Sequence, residues 1–287
     1  MQFQNILFPV DFSNRAYSCA PHIRAMSERF GASLTLLHAL EAPQPWFAGM
    51  EAPVLPEIDY QQLEAEAEVR LEDFAAVEFP RQLVKSKVVW GEPAEIIEEF
   101  VNANGADLIA MPTHGRGIFR AALLGSVTSK VLHDLKCPIW TGAHIEQPPN
   151  EPPCWNSILC AIDLSAESAG LIAEAASLSR QFGSAVRLVH AVPGPEAGLE
   201  RYFDREFQSF LENTARKAIA DLQRDAGTGF EVCLATGSPG RVVAHAAQHH
   251  QADLVIIGRG HLRARAARLR THAHGIIQNA GCPVLSL

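Results

Sequence analysis

A chain of 287 residues with a net charge of −8 and a mean hydropathy near zero is long enough for two domains, each burying its own core. The acid excess argues against a non-specific nucleic-acid binder, because duplex affinity depends on neutralising phosphates. No apolar run approaches the roughly 20 residues needed to cross a bilayer, and Met1-Gln2-Phe3-Gln4 leads straight into an apolar strand, so neither a leader nor a membrane anchor is expected. The charge is uneven: residues 1–150 carry 11 Lys+Arg against 19 Asp+Glu, the remainder 13 of each. The six cysteines form no CxxC and no ladder of paired spacings. Several sit in apolar segments, which points to reduced thiols and a cytoplasmic protein.

In chain order, Ile6–Val10 reads as a strand, and Ser13 as the N-cap of a helix reaching Phe30. Leu34–Ala39 is a second apolar strand. Residues 41–57 hold five prolines and glycines and read as a loop, with the option of a mobile flap. Ile58–Val77 has helical periodicity and many acids. Leu83–Val89 is a strand ending at Gly91-Glu92-Pro93, where Pro93 suits the first position of a helix to about Asn104. Leu108–Met111 is a buried strand, followed by a loop with Gly115 and Gly117, then Gly125-Ser126 and a helix over Val127–Leu135. Pro138–Thr141 is the last strand of the series.

The series then repeats. Asn5–Ser13 matches Ser157–Ser165, and Phe30–Ala39 matches Phe182–Ala191, both at an offset of 152. Gly91-Glu92-Pro93 matches Gly237-Ser238-Pro239, and Ala106–Ile109 matches Ala252–Val255, at 146. Cys137-Pro138-Ile139 matches Cys282-Pro283-Val284 at 145. A period this long means duplicated domains rather than a solenoid. The boundaries expected are 1–146 and 156–287, with a proline-rich linker at 147–155. Alternating strands and helices with near-continuous apolar strands predict a doubly wound α/β domain in each copy, its five-stranded parallel sheet flanked by helices.

In such sheets ligands bind beyond the carboxyl ends of the strands, where the strand order reverses. Asp11 closes the first strand and the 112–126 loop follows the fourth, so neighbouring first and fourth strands would line one crevice. Asp11 would accept from ribose hydroxyls or a base amino group, or else merely cap the helix at Ser13. Gly-loop amides and the helix start at Ser126 would receive phosphates.

These residues resemble the universal stress protein family, whose hallmark is Gly-x2-Gly-x9-Gly-Ser/Thr after the fourth strand with an Asp closing the first. The first copy reads Pro112-Thr113-His114-Gly115, nine residues, then Gly125-Ser126; the first Gly is Pro112. Proline has no N–H, so a backbone contact there must use its carbonyl. The resemblance covers nearly the whole chain. It implies a tandem protein with an adenine nucleotide α-hydrolase-like sheet, binding ATP or another adenine nucleotide, with Mg2+ an optional companion. Pro9, Val10, Asp11 and Ala39 would hold the adenosine, and Met111 and Pro112 would also contact the nucleotide. Gly115, Arg116, Gly117, Gly125, Ser126 and Val127 would hold the phosphates.

The second copy departs more. It has Gly258-Arg259-Gly260-His261, with Thr271-His272 near where Gly-Ser should stand. Between them Arg263, Arg265, Arg268 and Arg270 form either a solvated helical face or an anion site. Asp163, Gly258 and Gly260 would make any second site. The resemblance implies an intramolecular pseudo-dimer through the last strands, Pro138–Thr141 against Pro283–Leu287; a homodimer and an unidentified protein partner stay open.

His38 and His190 recur at strand ends and read as structural or pocket-lining. His249-His250 and His272/His274 lack a partner set for a metal. Neither a Ser-His-Asp order, a nucleophile elbow, a Walker A motif nor a Ser-Gly-Gly pyrophosphatase loop occurs, so no catalytic residue is assigned. The expectation is a nucleotide-binding stress-response regulator or interaction platform. The alternatives are a slow ATP hydrolase, for which His114 is the nearby base candidate, and a scaffold with degenerate sites.

Overall fold

Ten apolar segments hydrogen-bond into one sheet in this computed structural model, which describes residues 1–42, 59–80, 84–114, 124–145, 147–149, 153–194, 205–259 and 268–287. The first half comprises β1 (Asn5–Pro9), α1 (Asn14–Phe30), β2 (Ser33–Leu40), α2 (Tyr60–Glu78), β3 (Val84–Trp90), α3 (Pro93–Asn104), β4 (Leu108–Pro112), α4 (Ser126–Asp134) and β5 (Ile139–Gly142). The second half repeats it with β6 (Ser157–Ala161), α5 (Ser168–Phe182), β7 (Ala185–Val192), α6 (Arg205–Asp225), β8 (Glu231–Thr236), α7 (Pro239–His249), β9 (Leu254–Ile257), α8 (Arg268–Asn279) and β10 (Val284–Ser286). The flap expected within 41–57 lies outside the described residues apart from its first two positions.

The helix ends follow local chemistry. The Ser13 hydroxyl caps α1 by accepting from the Ala16 amide, and Gly31 closes it in the left-handed conformation (φ 64°). Gly183 ends α5 in the same way (φ 74°), a backbone state that costs glycine little. Pro93 and Pro239 open α3 and α7, where a missing N–H is harmless.

The strand order is β3-β2-β1-β4-β5-β10-β9-β6-β7-β8. Each half is parallel throughout, and the halves meet through an antiparallel β5–β10 pair. In that pair Trp140 faces Leu285, and these are equivalent positions in the repeat, so a local twofold passes between them. Phe30 and Phe182, another equivalent pair, meet at the same axis with ring centroids 5.3 Å apart. The expected pairing of last strands is therefore what joins the chain.

Alternate residues of each strand feed opposite cores. Ile6, Phe8, Leu108 and Ala110 pack with Ile23, Leu71 and Phe74 of α1 and α2. Leu7, Ile109 and Met111 pack with Ile97 and Val131 of α3 and α4. Each fully buried Leu, Ile or Phe removes enough apolar surface to be worth ~1.5–3 kcal/mol. Covering both faces is what makes a parallel sheet stable. The reversal of order falls between β1 and β4, which are hydrogen-bonded neighbours.

Candidate functional site

Beyond β1 the chain turns sharply. Asp11 Oδ1 accepts from the Ser13 amide (3.0 Å) and hydroxyl (2.7 Å), while Ser13 caps α1. The turn requires Phe12 at φ 56°, a conformation L-residues adopt at a cost of ~1–2 kcal/mol. Packing holds it there: the Phe12 ring lies 4.6 Å from His38 and 6.3 Å from Phe74, with the Arg70 guanidinium 4.2 Å over its face. His38 Nδ1 donates to the Val10 carbonyl (2.7 Å). Asp11 thus braces the helix start, as the plainer reading had it, and it also lines a cavity.

That cavity, about 600 Å3, opens at the β1/β4 switch point between α3 and the start of α4. Of the residues singled out from sequence, Pro9, Val10, Asp11, Ala39, Met111, Pro112, Gly125, Ser126 and Val127 all border it. Gly115, Arg116 and Gly117 lie outside the described residues. His114, weighed from sequence as the nearby base candidate, borders it too, while Glu41, Thr128 and the apolar wall of Ile96 and Ile97 were missed. The Gly-Glu-Pro repeat signals where α3 begins but not that its first turns face the crevice.

The two ends of the cavity differ electrically. The carboxylates Asp11 and Glu41 stand at the β1/β2 end. At the other end α4 begins with Gly125 as its N-cap, which has no side chain to satisfy the first-turn amides; α1 and α3 are capped by Ser13 and Glu92. An uncapped helix start favours anions. Its position is fixed by Gly125 N donating to Thr113 O (2.9 Å) and Thr128 Oγ1 donating to Pro112 O (3.1 Å). The Pro112 carbonyl, the backbone group left at that position for a ligand, therefore already serves the helix.

His114 lies beside this end. Its Nδ1 receives a hydrogen bond from Arg15 Nη1 (2.8 Å). Burial first, then the nearby Arg15 and His144, hold its pKa below the ordinary histidine value. With Nδ1 accepting, the neutral ring carries its proton on Nε2 and has no lone pair left to take another. That geometry works against the general-base role weighed for His114. Among the described residues no set of three His, Cys, Asp or Glu gathers as a metal site. All six cysteines are free, and no described helix is long and apolar enough to cross a membrane.

The second half keeps the strand-end turn. Asp163 Oδ1 accepts from Ser165 N and Ser168 Oγ (both 3.0 Å), Leu164 takes φ 64°, and His190 Nδ1 donates to Ile162 O (2.8 Å). Burial pushes the Asp163 carboxyl up, but the hydrogen bonds from Ser165 and Ser168 outweigh it and its pKa is lowered. Over the crevice the halves diverge. α8 already begins at Arg268, so His272, near the Ser126 equivalent, lies inside a helix. α7 packs so closely on α8 that a Cβ on Gly240 would stand 2.9 Å from the Gly275 backbone. Gly258 is exposed; Gly260 and most of the arginine-rich stretch lie outside the described residues.

A model described as the universal stress protein family matches residues 2–141 and 155–287. A universal stress protein of Thermus aquaticus is 34% identical over 137 residues, covering 48% of this chain and 96% of the relative. Among solved structures, a universal stress protein of Archaeoglobus fulgidus superposes with a TM-score of 0.65 at 18% identity, covering 99% of this chain and 96% of that one. A functionally unknown protein of Pseudomonas aeruginosa gives 0.67 at 16%, covering 99% and 92%. At such identities these two likenesses speak to the fold alone.

Proposed function

The chain belongs to the universal stress protein family, with two copies in tandem, and from that premise we propose that its first half binds an adenine nucleotide and that the protein works as a ligand-gated regulator or interaction platform. The observation that carries this is the 600 Å3 cavity at the β1/β4 switch point, with carboxylates at one end and the uncapped start of α4 at the other. Its size is ordinary for a small-molecule site. Its polarity fits a molecule with hydroxyl and amino groups at one end and phosphates at the other. The apolar wall of Ile96, Ile97 and Met111 suits a flat base between them. Mg2+ would ride chiefly on the phosphates, since it keeps much of its water and needs few protein ligands.

The second half serves as the partner that completes the sheet. On this reading the protein works in the cytoplasm, a setting that its free thiols support. Binding is favoured over hydrolysis because His114, the imidazole that borders the cavity beside the start of α4, has its Nδ1 lone pair committed to Arg15. Calorimetric titration with ATP and Mg2+ tests the site. Wild type should bind, while Asp11→Ala and Gly115→Val should each weaken binding. No binding by the wild type, or equal binding by all three proteins, would sink the assignment.

A further inference from the structure

One side chain crosses the seam to the back of the helix that starts in the cavity. Arg259 immediately follows Gly258 at the end of β9, and its amide donates to Leu287 O (2.9 Å). Its guanidinium leaves the second half altogether. Nη1 donates to Leu135 O (2.7 Å), and Nη2 donates to Lys136 O (2.9 Å) and to Cys137 O. These three carbonyls form the exit turn between α4 and β5, where Leu135 is the helix C-cap. Arg259 stands at the repeat position of Thr113, which has no such reach. The first half answers with different chemistry: His144 Nε2 donates to Gln278 O of α8 (2.8 Å).

α4 is therefore held at both ends. Its first turn is tied to β4 by the Gly125–Thr113 and Thr128–Pro112 hydrogen bonds, and its exit turn is tied to the second half by Arg259. Nine residues make a rod of about 13 Å, short enough to move as one body. A cation at the C-terminal end also complements the helix dipole, whose other end faces the cavity. Three fixed donors on one planar group define an orientation, not merely a charge.

We infer that Arg259 is a positioning residue for the first-half site, setting where the first turn of α4 stands in the cavity. The inference rests on the nucleotide reading of that cavity. It gives the second half a task beyond completing the sheet: Arg259, in a phosphate-loop sequence that lacks the second glycine, grips the exit end of the helix whose start faces the first-half cavity. By linkage, a ligand that engages Gly125–Val127 must in return bias the turn that Arg259 grips.

The test uses the full chain with Arg259→Ala and Arg259→Lys, titrated calorimetrically with ATP and separately with adenosine. A second measurement follows amide hydrogen exchange over residues 126–130 without ligand. Arg259→Ala should weaken ATP about fivefold while adenosine changes less than about twofold, and Arg259→Lys, which keeps the charge but loses the fork, should fall between. Exchange over the first turn of α4 should quicken in Arg259→Ala, with the α1 amides unchanged. Equal weakening of ATP and adenosine, or a lowered melting temperature with ATP affinity and α4 exchange intact, overturns the positioning role. If the wild type binds no nucleotide while the α4 exchange still responds to Arg259, the nucleotide reading fails and the mechanical link stands.

Discussion

The two halves share a strand-end turn almost atom for atom and differ in the helices above it. Phe12 and Leu164 take the same left-handed conformation, and Asp11 and Asp163 each brace the serine two residues on. His38 and His190 donate to equivalent carbonyls. Above the turn, the first half spaces α3 from α4 with Lys130, whose ammonium reaches Glu92 (3.1 Å) and Glu95 (3.2 Å). The second half presses α7 onto α8 through Gly240 and Gly275. Duplication preserved the backbone device and freed the crevice to diverge, so an aspartate at a strand end says little about binding until the helices over it are known.

The largest contrast to break concerns acid. His22 on α1 lies against Trp140, with ring centroids 5.8 Å apart, and burial pushes its pKa from 6.5 down to about 4. The equivalent residue in the second half is Glu174. The unfolded chain takes a proton at His22 near pH 6.5, and the native state takes it only near 4. Stability from this site is therefore full above pH 6.5 and falls as pH drops towards 4, by roughly 3 kcal/mol. Urea unfolding at pH 7 and pH 4.5 should show a smaller drop in His22→Phe than in wild type. Equal drops would refute the assignment.

Next in size is the aspartate pair. Asp11→Ala should weaken ATP about thirtyfold, the worth of a hydrogen bond to a charged group, whereas Asp163→Ala should leave the titration unchanged. Comparable losses from both would mean that the halves are functionally equivalent. A smaller effect separates the helix contacts. Gly240→Ala should lower stability by about 1 kcal/mol, because overpacking against fixed backbone exceeds the helix-propensity gain; Ala94 already carries that Cβ in the first half. Lys130→Ala, whose ammonium is exposed, should leave the thermal midpoint where it was. A stabilised Gly240→Ala would show that the α7–α8 contact yields easily.

Much of this was legible because it is local. Hydrophobic runs, Ser13, Pro93 and the glycines at 31 and 183 mark element ends within a few residues of where they form. The repeat makes each half check the other, and the family resemblance pointed to the seam between the last strands. The cavity border was legible at strand ends, where Asp11, Ala39 and Met111 must emerge together once β1 lies between β2 and β4. Contacts carried by long side chains were not. Arg15 finds His114 across 99 positions and Arg259 finds Leu135 across 124, and no periodicity encodes such a reach. The Gly240–Gly275 approach was equally silent, since it depends on how two helices roll.

The β5–β10 seam has a consequence for how the protein is made. β5 is synthesised midway through the chain, and its antiparallel partner comes some 140 residues later. Throughout that interval a nearly finished first half presents a buried-type strand, Ile139 to Gly142, with one edge unpaired. Such an edge invites pairing with any strand in reach, including β5 of another nascent chain. A sheet edge that can be satisfied only by the last strand favours slow closure, because the contact is far in sequence. Trp140, sealed against Leu285 in the finished molecule, would then report on its own burial: its fluorescence should change at the final step of refolding, after the parallel halves have formed.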